Sequence, residues 1–240
     1  MKKTTPYKNS KSKKEQITSM FDNIAESYDI LNHSLSLGMD HVWRRKAINK
    51  LSNNPKRILD IATGTGDFAL SAAKYTQAQI IGIDISQKML DIGIKKIKKR
   101  KLEKRITLQK ADSEELPFKN NSFDAITAGF GVRNFEDLHK GLSEIYRVLD
   151  TKGIVAILEP STPKYFPLKF IYNLYFYHVL PVIGSWISKD KSAYKYLPES
   201  VDSFPNGKKF IAKLERLGFK ECKHISLTFG VVSLYLAIKQ

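Results

Sequence analysis

The sequence predicts an α/β fold: a mostly parallel sheet with helices on both faces and an antiparallel hairpin at the C-terminal end. Three observations predict it. From position 57 onward, short apolar runs alternate with helical stretches. The runs are apolar throughout, which suits strands buried on both faces of a parallel sheet. The last two runs are separated by Gly230 alone, the spacing of a tight hairpin at a sheet edge.

Each element can be justified in order. Residues 1–16 are polar and lysine-rich, without a packable pattern or an apolar stretch behind the lysines. They read as a mobile basic tail and not as a secretory signal. Residues 17–52 read as an N-terminal helical segment of one domain that runs from 17 to 240. RILDIA (57–62) is a strand, and GDFALSAAKY opens a helix at Gly66. IIGIDIS (80–86) is the second strand. The helix after it carries Met89, Leu90, Ile94 and Ile97 at helical spacing. ITLQKAD (106–112) and FDAITAGFG (123–131) are the third and fourth strands. FEDLHKGLSEIYRVL is a helix with Leu138, Leu142, Ile145 and Leu149 on one face, and GIVAILE (153–159) is the fifth strand. The helix GKKFIAKLERLGF (207–219) ends at Gly218, and KHISLTF and VVSLYLAIK form the closing hairpin.

Between them lies an aromatic segment, about 162–205, whose stretch 170–187 has no charged residue. Asn173, His178, Pro181, Gly184 and Ser185 interrupt it, and Pro181 would break or kink a helix. Its tyrosines and Trp186 suit an interface better than hydrocarbon. The segment reads as a helical cap over a substrate site, not as a membrane span.

The whole chain bounds the setting. One cysteine, Cys222, allows no intrachain disulfide, which fits a reducing, cytoplasmic compartment. Forty basic against 24 acidic residues give 40 − 24 = +16, a balance that suits an anionic partner. The charge concentrates in the tail and in a second block from Lys95 to Arg105.

LDIATGTGD (59–67) carries the chemistry. It reads as a strand turning into a glycine-rich loop at a nucleotide-type cofactor. A triphosphate loop needs Gly, four residues, then Gly-Lys-Ser/Thr, and no stretch here matches. Gly64-Thr65-Gly66-Asp67-Phe68-Ala69 does fit the dinucleotide pattern G-x-G-x-x-A. Two features favour S-adenosylmethionine instead. Asp67 would repel a pyrophosphate at the helix start. Acids also recur at successive strand ends: Asp60, Asp84 and Asp112. Asp84 can accept two ribose hydroxyls and Asp112 the adenine amine. Asp60 can orient the loop or reach the cofactor's ammonium. The expectation narrows to a Rossmann-like, class I S-adenosylmethionine-dependent methyltransferase fold.

Four stretches resemble one family. MFDNIAESYDILNHSLSLGMDHVWRRKAI (20–48), ADSEELPF (111–118), FGVRNFEDLHKGLSEIYRVL (130–149) and YHVLPVIGSWISKDKSAYKYLPESV (177–201) are similar, in the same order, to blocks of the ubiquinone/menaquinone biosynthesis C-methyltransferases. The resemblance implies transfer of a methyl group to a ring carbon of a polyprenylated quinol, a naphthoquinol by preference over a benzoquinol. It implies cofactor contacts at Thr65, Asp84, Asp112 and Ser113. Many relatives have a serine where this chain has Gly129, so only a backbone contact is available there. Arg133 is the first candidate to hold a developing phenolate, followed by Tyr28 and His178. Asp29, His33 and His41 are further substrate-side or proton-handling candidates. No metal is expected. A quinol substrate gives the charge and the aromatic segment one shared reading, a peripheral contact with an anionic membrane at its inner face. Homo-oligomerisation stays open. The competing readings are a methyltransferase for RNA or another small molecule, marked by methyl incorporation elsewhere than into a quinol, and a non-catalytic scaffold that binds cofactor without transfer.

Overall fold

A parallel sheet with a crossover helix after each strand must bury both of its faces, and the apolar runs serve that need. The structure, a computed structural model, describes residues 4–179 and 191–240. The seven strands are β1 (Arg57–Ile61), β2 (Gln79–Asp84), β3 (Ile106–Lys110), β4 (Phe123–Gly129), β5 (Leu149–Pro160), β6 (Lys220–Leu227) and β7 (Val232–Ile238). Their order is β3-β2-β1-β4-β5-β7-β6. β1 to β5 pair in parallel, and β7 pairs antiparallel to both β5 and β6. The order reverses between β1 and β4, and ligands of open α/β sheets bind outside the strand ends at such a point.

The expected hairpin closes one edge of the sheet, with β6 outermost and β7 on its inner side. β7 is inserted beside β5, with Val155 opposite Ala237 and Ile157 opposite Tyr235. Burial decides the order. β7 is buried along most of its length, while β6 exposes Lys220, Glu221, Lys223 and His224. Charged side chains suit the open edge because they discourage pairing with other chains.

Helices α1 (Lys13–Leu35) and α2 (Met39–Ile48) precede the sheet, and α3 (Asp67–Tyr75) and α4 (Gln87–Lys99) follow β1 and β2. α5 (Leu138–Val148) precedes β5. Trp43 of α2, Phe68 and Leu70 of α3 and Ile97 of α4 pack on one sheet face. Leu142 and Ile145 of α5 cover the other, joined by Phe210 and Leu214 of α8 (Lys208–Arg216). Leu149, expected on the helix, begins β5.

α1 starts at Lys13, inside the stretch expected to be tail. The cause is a capping box: the Ser12 hydroxyl accepts from the Glu15 amide, and the Glu15 carboxylate accepts from the Ser12 amide at 2.8 Å. Ile17, Met20, Ile24 and Leu31 then recur at helical spacing and pack against the aromatic segment. In its described part that segment forms α6 (Leu168–Leu174), a π-helical turn (Tyr175–Val179) and α7 (Lys191–Ser203). Pro181, Gly184, Ser185 and Trp186 lie outside the described residues. No helix among the described residues is long and apolar enough to cross a membrane.

Candidate active site

The loop after β1 turns sharply on positive φ values at Ala62 (51°), Gly64 (56°) and Gly66 (81°). Asp60 holds it. Its carboxylate accepts from the Thr63 hydroxyl at 2.5 Å and from the Thr127 hydroxyl of β4 at 2.7 Å. Asp60 is 1% exposed, and burial pushes its carboxyl up to about 6. Of the two expected roles it takes the first, orienting the loop, and it lines neither of the cavities described below.

A folded-state value above the ordinary 3.8 means the native protein binds the Asp60 proton more tightly than the unfolded chain. Stability from this group is present below the unfolded value and is lost as pH rises through about 6, by about 3 kcal/mol at most. Urea melts at pH 4 to 8 should show this slope in the wild type. Asp60→Asn should flatten it, and equal slopes in both proteins would refute the account.

A small cavity of about 60 Å³ opens outside the carboxyl ends of β1, β2 and β4. Asp84, Asp112, Ser113, Gly64 and Gly129 line it, as the sequence predicts. Asp84 ends β2 and accepts from the Gly64 amide and the Ser86 amide, each at 2.9 Å. Burial raises its carboxyl. Gly129 has no room for a side chain, since a Cβ would sit 2.8 Å from the Phe68 ring. The cavity admits a few waters, and an adenosyl group is much larger. α1 roofs it with Ile17, Phe21 and Tyr28, and Lys14 reaches Asp112 at 2.5 Å and Glu114 at 3.4 Å. This donor set fits S-adenosylmethionine: carboxylates for ribose and adenine, and net negative charge for a cationic ligand. Lys14 occupies Asp112, the acceptor expected for the adenine amine. The tail reading hid this role.

Thr65 and Asp67 depart from expectation. The Thr65 hydroxyl donates to Asp29 at 2.5 Å and accepts from Lys96 at 3.1 Å, and Thr65 does not line the cavity. Asp67 is ion-paired with Lys96, and Arg44 Nη2 lies 3.8 Å away. Its charge is largely offset, so the repulsion argument against a dinucleotide loses force. The acid-lined cavity carries the choice of cofactor instead. His33 bonds Asp40 at 2.8 Å and stacks on His41 at 4.6 Å. Asp29 and Asp67 pair with Lys96, and Asp40 with Arg44, at the two His/Asp clusters found among the described residues.

A second cavity of about 440 Å³ adjoins the first, and Phe21, Tyr28, Phe130 and Asn134 line both. Its other walls are mostly apolar and come from α1, α2, α6, the π-helical turn, α7 and the β6–β7 turn. Arg133 lines it, but the guanidinium is strongly held. Nη1 meets Glu159 at 3.0 Å and the Phe130 carbonyl, and Nε donates to Ser200 at 3.3 Å. Nη2 has no hydrogen bond among the described residues. Tyr28 stands at the shared wall, and burial pushes its hydroxyl above the ordinary value, so it remains a donor at neutral pH. His178 is exposed on the π-helical turn, and among the described residues it lines neither cavity. Asn134, which the sequence reading passed over, accepts from the Tyr196 hydroxyl at 3.0 Å. Glu159 was also missed, although an acid closing an apolar strand is the signal that singled out Asp60.

Residues 9–239 match the model of the ubiE/COQ5 methyltransferase family. The chain belongs to this family. The demethylmenaquinone methyltransferase of Bacteroides fragilis is 50% identical over 239 residues, 99% of this chain and 98% of the relative. The ubiquinone/menaquinone biosynthesis C-methyltransferase UbiE of Geotalea daltonii is 48% identical, covering 95% of this chain and 97% of the relative. A solved S-adenosylmethionine-dependent methyltransferase from Thermotoga maritima shares the fold, with a TM-score of 0.67 at 19% identity, over 93% of this chain and all of that one. The protein is an S-adenosylmethionine-dependent C-methyltransferase.

Proposed function

We propose that the acceptor is demethylmenaquinol, a polyprenyl naphthoquinol, methylated at a ring carbon by a protein working peripherally at the cytoplasmic face of the membrane. One observation carries this reading: a largely apolar 440 Å³ cavity shares a wall with the acid-lined cavity. Such walls suit a hydrocarbon-bearing ring better than a nucleobase. The names of the relatives from Bacteroides and Geotalea support the quinol class.

When bound, the cofactor supplies an electrophilic methyl on a sulfonium. The chain's own residues supply position and charge. Asp84, Asp112 and Ser113 hold the adenosyl end. Phe21, Tyr28, Phe130 and Asn134 set the distance between the two ligands, and such orientation contributes about 7–11 kcal/mol in well-aligned cases. The Tyr28 hydroxyl and Arg133 Nη2 are the donors for the acceptor oxygen as it becomes a phenolate. Asp40, the one carboxylate lining the large cavity among the described residues, is bound by Arg44 and His33. The phenolic proton therefore leaves to water, with Arg133 lowering the phenol's pKa.

Labelled S-adenosylmethionine tests the reading against reduced demethylmenaquinol, a demethoxy-benzoquinol and total RNA in parallel. Label in the naphthoquinol is the expected result. Label in both quinols broadens the substrate, and label in RNA alone refutes the reading.

A further inference from the structure

Of the twelve exposed large apolar side chains among the described residues, seven fall between positions 165 and 177. Phe166, Phe170 and Leu174 recur every four residues and are 84%, 64% and 51% exposed. In this outward stripe, Phe170 and Leu174 lie one turn apart on the outer side of α6, and Phe166 is exposed just before the helix begins. On the inward side Tyr172 and Phe176 are buried against α1 and line the large cavity. An apolar helix side is normally a buried one. Here the outer side meets solvent.

Leu37, in the turn between α1 and α2, adds to this face. It is 88% exposed at a φ of 50°, so its backbone conformation is unfavourable and no burial offsets it. The turn adjoins the aromatic segment, since the Tyr175 hydroxyl donates to the Leu35 carbonyl at 3.1 Å. Lys164 and Lys169 are exposed beside the stripe, and no acid occurs from 160 to 189. Leu168 and Ile171 are both exposed and part of the cavity wall, so the apolar lining runs out onto the surface.

We propose that this face, the outer stripe of α6 with Leu37, docks on an anionic lipid bilayer with the large cavity opening toward the hydrocarbon. The proposal rests on the quinol reading, because a prenyl tail longer than the cavity needs an apolar phase at its mouth. Aromatic side chains and lysines are the residues that partition to such an interface. A second copy of the chain could bury the stripe, but it would also close the cavity to a long tail. The basic block around α4 is not part of this face. α4 leads back to the start of β3, so Lys98 to Arg105 lie at the amino end of that strand, while Lys96 turns to Asp29, Thr65 and Asp67 and is already paired. Docking by this face draws on Lys164 and Lys169 and does not require the Lys98–Arg105 charge.

Sedimentation of the full-length protein with vesicles of phosphatidylcholine and phosphatidylglycerol, and of phosphatidylcholine alone, tests the assignment. The wild type should bind the anionic vesicles more tightly than the neutral ones. Phe170→Ser with Leu174→Ser should weaken binding at least tenfold, and Leu37→Ser should weaken it measurably. Lys98→Glu with Lys101→Glu should leave it within twofold. Failure of the wild type to bind, equal binding by the stripe variant, or a wild-type dimer that the stripe variant dissociates would each overturn the proposal. Methyl transfer to tail-less 1,4-naphthohydroquinone in solution reports on the fold of the variants and on the quinol reading separately. Its retention in the stripe variant supports a surface role for these residues. Its absence in a wild type that binds vesicles would overturn the quinol reading on which the docking role rests.

Discussion

Replacing Asp84 with alanine is expected to weaken S-adenosylmethionine binding by about a thousandfold, roughly 4 kcal/mol for two hydrogen bonds to a charged acceptor. The carboxylate has two kinds of work at the end of β2. It accepts from the Gly64 and Ser86 amides, which fixes the glycine loop against the start of α4. It also faces the small cavity, where it can accept ribose hydroxyls. Asp84→Asn separates the two. The amide keeps one acceptor oxygen, so the loop is partly held while the negative charge is gone. Calorimetry should therefore rank affinity as wild type, then Asn, then Ala. Alanine binding within threefold of wild type would contradict the placement of the cofactor.

Arg133→Ala is expected to cost about 3–5 kcal/mol of stability, because it leaves a buried carboxylate without its cation. Glu159 is fully buried and sits 3.0 Å from the guanidinium. Burial already raises the Glu159 carboxyl, and Arg133 opposes that rise. Without Arg133 the folded-state value climbs further above the unfolded one. The variant should then lose stability as pH rises from the ordinary carboxyl range through the folded value, more steeply than wild type. Turnover should fall too. Arg133 does not line the small cavity, so cofactor affinity should change little where the variant is folded. Pairing Arg133→Ala with Glu159→Gln distinguishes the roles. Stability restored without turnover assigns the guanidinium to the reaction as well as to the ion pair. Recovery of both would make Arg133 structural only.

These two residues show what the sequence reveals and what it hides. Asp84 was legible because its role is local: an acid at a strand end, a fixed distance past a glycine loop. The five parallel strands were legible for the same reason, as apolar runs separated by helices everywhere except between β3 and β4. Arg133 was legible as a residue but not as one member of a pair, since Glu159 is brought to it by the pairing of β4 with β5. Thr65 and Asp67 follow the same logic. Their loop positions are fixed locally, but Lys96 of α4 and Asp29 of α1 decide where their side chains bond. His178 carried suitable chemistry and no local signal of direction, and the fold turns it outward. Lys14 looked like tail because its partners, Asp112 and Glu114, are about a hundred residues away. The inner position of β7 was readable in principle, because its run is more apolar than that of β6.

The central claim is that two adjoining cavities meet at Phe21, Tyr28, Phe130 and Asn134, and that the methyl crosses there. A crystal structure with S-adenosylhomocysteine tests it most directly. The account predicts the ribose on Asp84, the adenine beside Asp112 and Ser113, Lys14 displaced from Asp112, and the sulfur at the shared wall facing the large cavity. Adenosine bound away from Asp84, or a sulfur directed away from Tyr28 and Asn134, would contradict it.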